Sequence, residues 1–282
     1  MNNPKPKMIT TGLDPEIIVF AGDWHGNGPW AAEMIRSAKN HGADVIVQAG
    51  DTGFKFDHNF MRHLRRALTE TEIELYFVDG NHDEHPQLFN KWKLDENGFG
   101  IPRFTNPVEV NRIHYVPRGH RWDWNGKTFM GLGGAVSVDR QWRVQGDSWW
   151  PEEQITPRQF EYAMRPGKVD VMVCHDICDS AELPNLRKSS GWPEDVLAES
   201  AEHRKIIQQV VDQVQPELFV HGHFHVRYDQ MVGSMRVLSL DMDGTSFKRN
   251  LAFFRFEDGK LNEFDPYSKI ESSFPLEVED NF

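Results

Sequence analysis

Cysteine is nearly missing from this chain: Cys174 and Cys178 are the only two in 282 residues. A disulfide framework or a zinc knuckle needs more. Cys174 closes an apolar run and reads as a small buried hydrophobe. No apolar run approaches the ~20 residues of a membrane span. The opening residues, Met1 to Lys7, lack the apolar stretch of a secretory signal. Together these absences predict a cytoplasmic protein with no membrane partner. Positive charge is also short, with 31 Lys and Arg against 43 Asp and Glu, a net charge of −12. That balance argues against a nonspecific nucleic-acid binder. The deficit is partly local. Eight acidic and two basic residues in 257–282 carry −6 of the −12, so the rest is only mildly acidic. In that tail, Asp265-Pro266 and Phe274-Pro275 break regular structure. Leu261, Phe264, Tyr267, Ile270 and Phe274 offer apolar surface, so both a packed and a floating tail stay open.

What the chain does have is a series of five short polar segments. In order they are Gly22-Asp23-Trp24-His25-Gly26, Gly50-Asp51, Gly80-Asn81-His82-Asp83, His175-Asp176 and His221-Gly222-His223-Phe224-His225. Carboxylates, imidazoles and an amide suit hard or borderline divalent metals. Each segment follows a short apolar run rich in β-branched or aromatic residues: 17–21, 45–49, 75–78, 169–174 and 218–220. Such runs read as buried strands. Every candidate ligand therefore sits at the C-terminal end of a strand, where α/β sheets collect their ligands.

This ordered set resembles the calcineurin-like metallophosphoesterase superfamily. That family's pattern is Asp-x-His, Gly-Asp, Gly-Asn-His-Asp/Glu, a lone His, then Gly-His-x-His. The matching span runs from Asp23 to His225. The resemblance implies two divalent metal ions. One would be held by Asp23, His25, Asp51 and His225, the other by Asp51, Asn81, His175 and His223, with Asp51 shared. It also implies the family's fold: a four-layer α-β-β-α sandwich of two mixed sheets flanked by helices.

The chemistry accounts for the residue types. Two cations roughly 3.5–4 Å apart can clamp the attacking and leaving oxygens of an in-line displacement at phosphorus. Water held between them becomes acidic enough to serve as the nucleophile. A shared ligand should be anionic, and Asp51 is. Neutral Asn81 leaves the site net positive charge for a phosphate. His82 adjoins a ligand and could stabilise the transition state or protonate the leaving oxygen. Asp83 could orient the His82 imidazole. Mn²⁺ is favoured, with Fe²⁺ and Zn²⁺ also compatible with an N/O donor set.

A lone Asp or His at a strand end is usually a turn or capping residue; the ordered set is what overrides that reading. His221 lies one residue outside the motif and reads as structural. His41, His58, His63, His85, His114, His120 and His203 have no motif context and read as surface or structural. Asp176 fits either a partner for a metal-binding imidazole or a turn cap.

Helical spacing places helices over 30–41, around Phe60 to Leu68, and from Pro193 to Val214. Later strands are expected at 112–116, 128–132, 226–232, 235–240 and 251–256. The domain plan is an N-terminal extension over 1–14, one metallophosphoesterase domain over 15–256, and the acidic tail.

The segment Gly131 to Glu153 combines glycines, Arg140, Arg143, Trp142, Trp149 and Trp150. It resembles a Gly-Gly-Ala and Trp-Trp-Pro-Glu-Glu element of a bacterial and phage subset of the family. Arginine could grip a phosphate there and tryptophan stack a base; equally, the tryptophans could fill a satellite core. Trp24 is expected to line the mouth of the site, and the loop Leu186 to Trp192 reads as solvated. The leading function is a phosphodiesterase on a small or cyclic nucleotide-type substrate. A phosphomonoesterase or protein Ser/Thr phosphatase is the second reading, and a noncatalytic scaffold the third. The sequence leaves the oligomeric state open.

Overall fold

The computed structural model describes residues 9–102, 111–182 and 191–268. Its first half alternates strand and helix: β1 (Ile9–Thr10), β2 (Ile17–Ala21), α1 (Gly28–Asn40), β3 (Val45–Gln48), α2 (His58–Thr71), β4 (Glu74–Phe77) and α3 (His85–Asn90). Short strands follow: β5 (Lys93–Leu94), β6 (Gly100–Ile101), β7 (Ile113–Tyr115), β8 (His120–Trp124) and β9 (Lys127–Leu132). Then come α4 (Pro157–Ala163), β10 (Val171–Cys174), α5 (Glu194–Val214), β11 (Leu218–His221), β12 (Tyr228–Val232), β13 (Met235–Ser239), α6 (Phe247–Asn250), β14 (Leu251–Glu257) and β15 (Lys260–Phe264).

These strands form two mixed sheets, in the orders β1-β8-β9-β10-β11-β13-β12 and β15-β14-β2-β3-β4-β7-β6-β5. Strand alternation builds the layers. In β2, Ile18 and Phe20 face the other sheet, while Ile17, Val19 and Ala21 face α1 and α2. In β10, Val171 and Val173 point between the sheets, and Met172 and Cys174 pack under α5. Because both faces are covered, these strands read as continuous apolar runs. The result is the expected four-layer α-β-β-α sandwich. Among the described residues, no helix is long and apolar enough to cross a membrane.

The three expected helices form, with ends set by local chemistry. Helix α1 begins two residues before the expected start. The Asn27 side chain accepts from the Trp30 amide, and Pro29 lies in the first turn. Asp57 caps α2 in the same way. Strand β8 is an addition to the sequence reading. Its signal was an alternation of ring side chains, His120, Trp122 and Trp124. The two tryptophans are fully buried between the sheets beside Phe129.

Described residues on both sides of the expected domain bounds join the sheets. Ile9–Thr10 pairs with β8, and Lys260–Phe264 pairs with β14 as an edge strand. Phe264 and Tyr267 pack on the cluster under α1 and α2. Ile270 and Phe274 lie outside the described residues.

The two sheets meet through one aromatic-rich layer. Phe20 is fully buried there, with its ring edge-on to Phe254 at 5.2 Å. Phe20→Ala should destabilise the fold by about 3–5 kcal/mol, read as a lowered urea midpoint. An unchanged midpoint would mean the layer closes over the gap without loss.

Candidate metal centre

Strands β2, β3 and β4 are parallel neighbours in one sheet, and β9, β10, β11 and β13 in the other. The turns after their C-terminal ends converge at one edge of the sandwich. From the first sheet come Asp23 and His25, then Asp51, then Asn81 and His82. From the second come His175, His223 and His225. Asp23, Asp51, Asn81 and His175 are buried, while His25, His82, His223 and His225 keep some exposure.

The turns are tight. His25, Asp51, His223 and His225 all adopt positive φ, between 45° and 66°. This region is sparsely used by residues other than glycine and persists where the surroundings enforce it. Glycine fits the closest approaches. A Cβ on Gly80 would lie 2.1 Å from Asp51 Oδ1, and one on Gly222 would lie 2.0 Å from Asp23 Oδ1.

The donor atoms form a compact array. Asp51 Oδ2 lies 3.4 Å from His175 Nε2, 3.5 Å from His25 Nε2 and 3.9 Å from His82 Nε2. Asp23 Oδ2 lies 3.2 Å from His225 Nε2 and 3.9 Å from His25 Nε2. Three overlapping sets have all their donor atoms within 4.8 Å of one another: Asp23, His25 and His225; His25, Asp51 and His82; Asp23, Asp51 and His175. Two ligands each about 2.1 Å from one cation sit roughly 3–3.5 Å apart. Donor chemistry and spacing thus both fit divalent ions. His223 stands outside these sets, with its ring centroid 5.0 Å from that of His175.

Each donor is aimed by a second contact. His25 Nδ1 pairs with Asp243 Oδ1 at 2.8 Å, and the other Asp243 oxygen accepts from Asn27. The His175 Nδ1–H donates to the Ala49 carbonyl, turning Nε2 toward Asp51 and Asn81 Oδ1. The His82 amide donates to Asp51 Oδ1, and the His223 amide to Asp23.

Electrostatics follow from the buried carboxylates. Burial alone would raise the Asp51 pKa. The charges of His175 and His82, with hydrogen bonds from His175 and His25, hold it well below the usual range. Burial opposes charge on His25 and His175, but the carboxylates outweigh it and raise them to about 11 and about 10. For His82 and His223 burial outweighs the pull of the carboxylates and lowers each to about 4.

Three expectations need correction. Trp24 does not line the mouth. Its indole is fully buried in the core cluster under α1 and α2, and Nε1 donates to Asn250. Asp83 does not orient His82. Its carboxylate is buried and accepts from the Thr52, Gly53 and Gly80 amides, lacing the second motif to the third. The His82 Nδ1 has no hydrogen-bond partner, and Nε2 accepts from Arg143 at 2.6 Å. Arg140 pairs with Glu199 on α5, away from the donor array. Arg143 does reach the site. It bonds His82 and Asp139, and its Nη1 is buried without a partner.

His221, His203 and Asp176 serve the framework. His221 bonds Tyr228 and the Gly222 carbonyl. Asp176 accepts from the Ile177 amide and pairs with buried His203. Trp150 is buried, whereas Trp142 is 64% exposed and touches the Trp192 ring. Leu186 to Ser190 lie outside the described residues. Sequence reasoning missed Asp243, Ser137 and Glu153. Asp243 had a signal: Asp241-Met242-Asp243-Gly244 follows an expected strand, as the other site turns do. Ser137 and Glu153 had none beyond their place in the unexplained 131–153 segment.

The fold and this array are those expected of a metallophosphoesterase. The model of the calcineurin-like phosphoesterase family matches residues 17–227, about three quarters of the chain. The chain belongs to that family, whose members use divalent metal ions. A protein of Thermus thermophilus has a similar fold, with a TM-score of 0.53 at 12% identity over 89% of this chain and 99% of that one. A dimetal phosphatase from Danio rerio gives 0.47 at 12% identity, over 87% and 94%. A novel archaeal phosphodiesterase gives 0.40 at 11% identity, over 88% and 98%. No curated protein matches the chain by sequence.

Gly80 and Gly222 abut the two carboxylates, so Gly80→Ala or Gly222→Ala must push Asp51 or Asp23 aside. A displacement near 1 Å can lower turnover about 10²-fold. The measurement is kcat/KM on p-nitrophenyl phosphoesters with Mn²⁺, alongside circular dichroism to confirm folding. Full activity in folded variants would show that these carboxylates need no fixed position.

Proposed function

We propose that this chain is a dinuclear-metal phosphoesterase that hydrolyses phosphodiesters of small or cyclic nucleotide type. The observation that carries the reading is the position of Asp51 Oδ2, within 3.5 Å of an imidazole nitrogen from each sheet. Asp23, His25, Asp51 and His225 would hold one ion. Asp51, Asn81, His175 and His223 would hold the other. When bound, the cations supply Lewis-acid charge to the phosphoryl group and acidify water. We favour Mn²⁺ on donor type, with Fe²⁺ and Zn²⁺ as alternatives.

The chain's own residues supply the rest. Asp243 and the Ala49 carbonyl fix the rings of His25 and His175. His82 Nε2 faces Asp51 and meets the Arg143 guanidinium. That pair would stabilise charge gathering on the phosphoryl oxygens. The unpaired Nη1 of Arg143 is a further donor for such an oxygen. Hydrolysis adds the elements of water across one P–O bond, giving an alcohol and a monoester, which stay on one molecule when the diester is cyclic.

The diester preference rests on the second motif. Gly50-Asp51-Thr52-Gly53-Phe54-Lys55 has no arginine, and Lys55 is exposed and paired with Asp147. A monoester carries about −1.5 to −2 charge near neutrality and a diester about −1, so a sparse cationic clamp penalises the dianion more. Arg143 favours the second reading, a phosphomonoesterase, because it restores one guanidinium from a distant loop. Operation in the cytoplasm completes the proposal.

After chelation the protein should be inactive, and Mn²⁺ should restore hydrolysis. Bis-p-nitrophenyl phosphate should then give the higher kcat/KM against p-nitrophenyl phosphate, as should cyclic nucleotides against nucleoside monophosphates. Activity that survives chelation sinks the metal mechanism. A preference for monoesters in both pairs replaces the diesterase reading with the phosphatase one.

Arg143→Ala should lower kcat/KM roughly 10²-fold, the scale of one lost transition-state donor. Arg140→Ala should leave kcat/KM within about threefold and cost at most about 1 kcal/mol of stability, since its pair with Glu199 is partly exposed. Equal kinetic losses in both would mean that the loop acts as a unit and Arg143 has no private role.

A further inference from the structure

The amide of Asn81 is the one candidate ligand with two chemically different ends. Its Oδ1 can face a cation; its Nδ2 cannot. Something must keep the oxygen inward, and the structure contains a device for it. Asn81 Nδ2 donates to Ser137 Oγ at 3.0 Å. The Ser137 hydroxyl donates in turn to Glu153 Oε2 at 2.5 Å. The Ser137 backbone N–H donates to Glu153 Oε1 at 2.9 Å. Asn81, Ser137 and Glu153 are respectively 3%, 1% and 0% exposed. Water has little access to reset the pattern.

Direction is forced along this chain. Burial raises the Glu153 carboxyl to about 7, so above that pH it is ionised and only accepts hydrogen bonds. The Ser137 proton must therefore point at Glu153, which leaves only lone pairs for Asn81. Only the NH₂ end of the amide can meet a lone pair. Oδ1 is then turned to the other side, where it lies 3.1 Å from His175 Nε2 within the donor array. The reversed amide would press two acceptors together at Ser137 and aim N–H groups at the site. A buried mismatch of that kind is costly.

We infer that Glu153, acting through Ser137, is a positioning residue that locks Asn81 with its oxygen toward the metal centre, although it stands two hydrogen bonds from the ligand atom. The inference rests on the reading of Asn81 as a ligand. It also gives the 131–153 segment a second task beside presenting Arg143. One stretch of chain supplies both a phosphate-facing guanidinium and the brace behind a ligand.

The test is metal affinity, measured by calorimetry or equilibrium dialysis with Mn²⁺ at mildly alkaline pH. Glu153→Gln nearly preserves shape but puts an N–H donor where an acceptor stood. The new amide can donate to Ser137 Oγ, which turns the hydroxyl proton toward Asn81 and favours the reversed amide. One of the two ions should bind roughly 10–100-fold more weakly, with the other unchanged. Ser137→Ala removes the relay and should show the same selective loss, which covers the case of a Glu153→Gln protein that does not fold.

Asn81→Asp supplies the decisive background. A carboxylate offers oxygen at both ends and accepts the reversed hydroxyl proton. There, Glu153→Gln should change affinity by less than about threefold, whereas a packing role would carry the same penalty in both backgrounds. Two ions bound with wild-type affinity in folded Glu153→Gln and Ser137→Ala overturns the inference and leaves the phosphoesterase reading intact. So does an equal penalty in both backgrounds. A wild-type chain that binds fewer than two ions overturns both.

Discussion

Asp23 and Asp51 are carboxylates with almost no solvent exposure, set at the same edge of the sandwich. Burying anionic groups so close together is unfavourable unless positive charge sits between or beside them. The surrounding architecture answers that demand. Imidazoles approach from both sheets, main-chain N–H groups donate to the carboxylate oxygens, and Asp243 holds His25 from behind. Divalent cation charge is the compensation that this donor set is chemically suited to accept. The left-handed conformations of His25, Asp51, His223 and His225 show what it takes to gather so many donors in one place.

Those strained turns persist because the framework below them is stiff. Parallel strands covered on both faces end at one edge, and each strand launches a turn whose side chains have nowhere else to go. Asp83 adds a local tie: three amides from two different turns share one buried carboxylate. Burial and the nearby charge of Asp51 raise that carboxylate to about 7. The three N–H donors work against this shift, as befits a group used for connection.

The motif residues were legible in the sequence because strand ends and ligand types coincide in chain order. The runs supplied the strands, whose alternate residues separate into layers once the sheets are packed, and the four-layer arrangement came from the family resemblance. What failed to read was direction and distance. Trp24 lies between two site residues, yet its turn sends the indole into the core. Asp83 follows His82 in sequence, but a tight turn points the two side chains apart. Arg140 and Arg143 are three residues apart and serve different partners, Glu199 and His82. Ser137 and Glu153 meet Asn81 only through tertiary packing, 56 residues and more along the chain. No local pattern encodes such a meeting.

The array is also divided by origin. Asp23, His25, Asp51, Asn81 and His82 hang from one sheet, and His175, His223 and His225 from the other. The 3.4 Å between Asp51 and His175 is therefore a measure of how the two sheets are stacked. The layer of Phe20, Trp122, Trp124 and Phe129 acts as the spacer of a caliper whose jaws are the two halves of the centre. Changes of side-chain volume deep in that layer would therefore be felt as a change in the gap between Asp51 and His175, with neither residue altered.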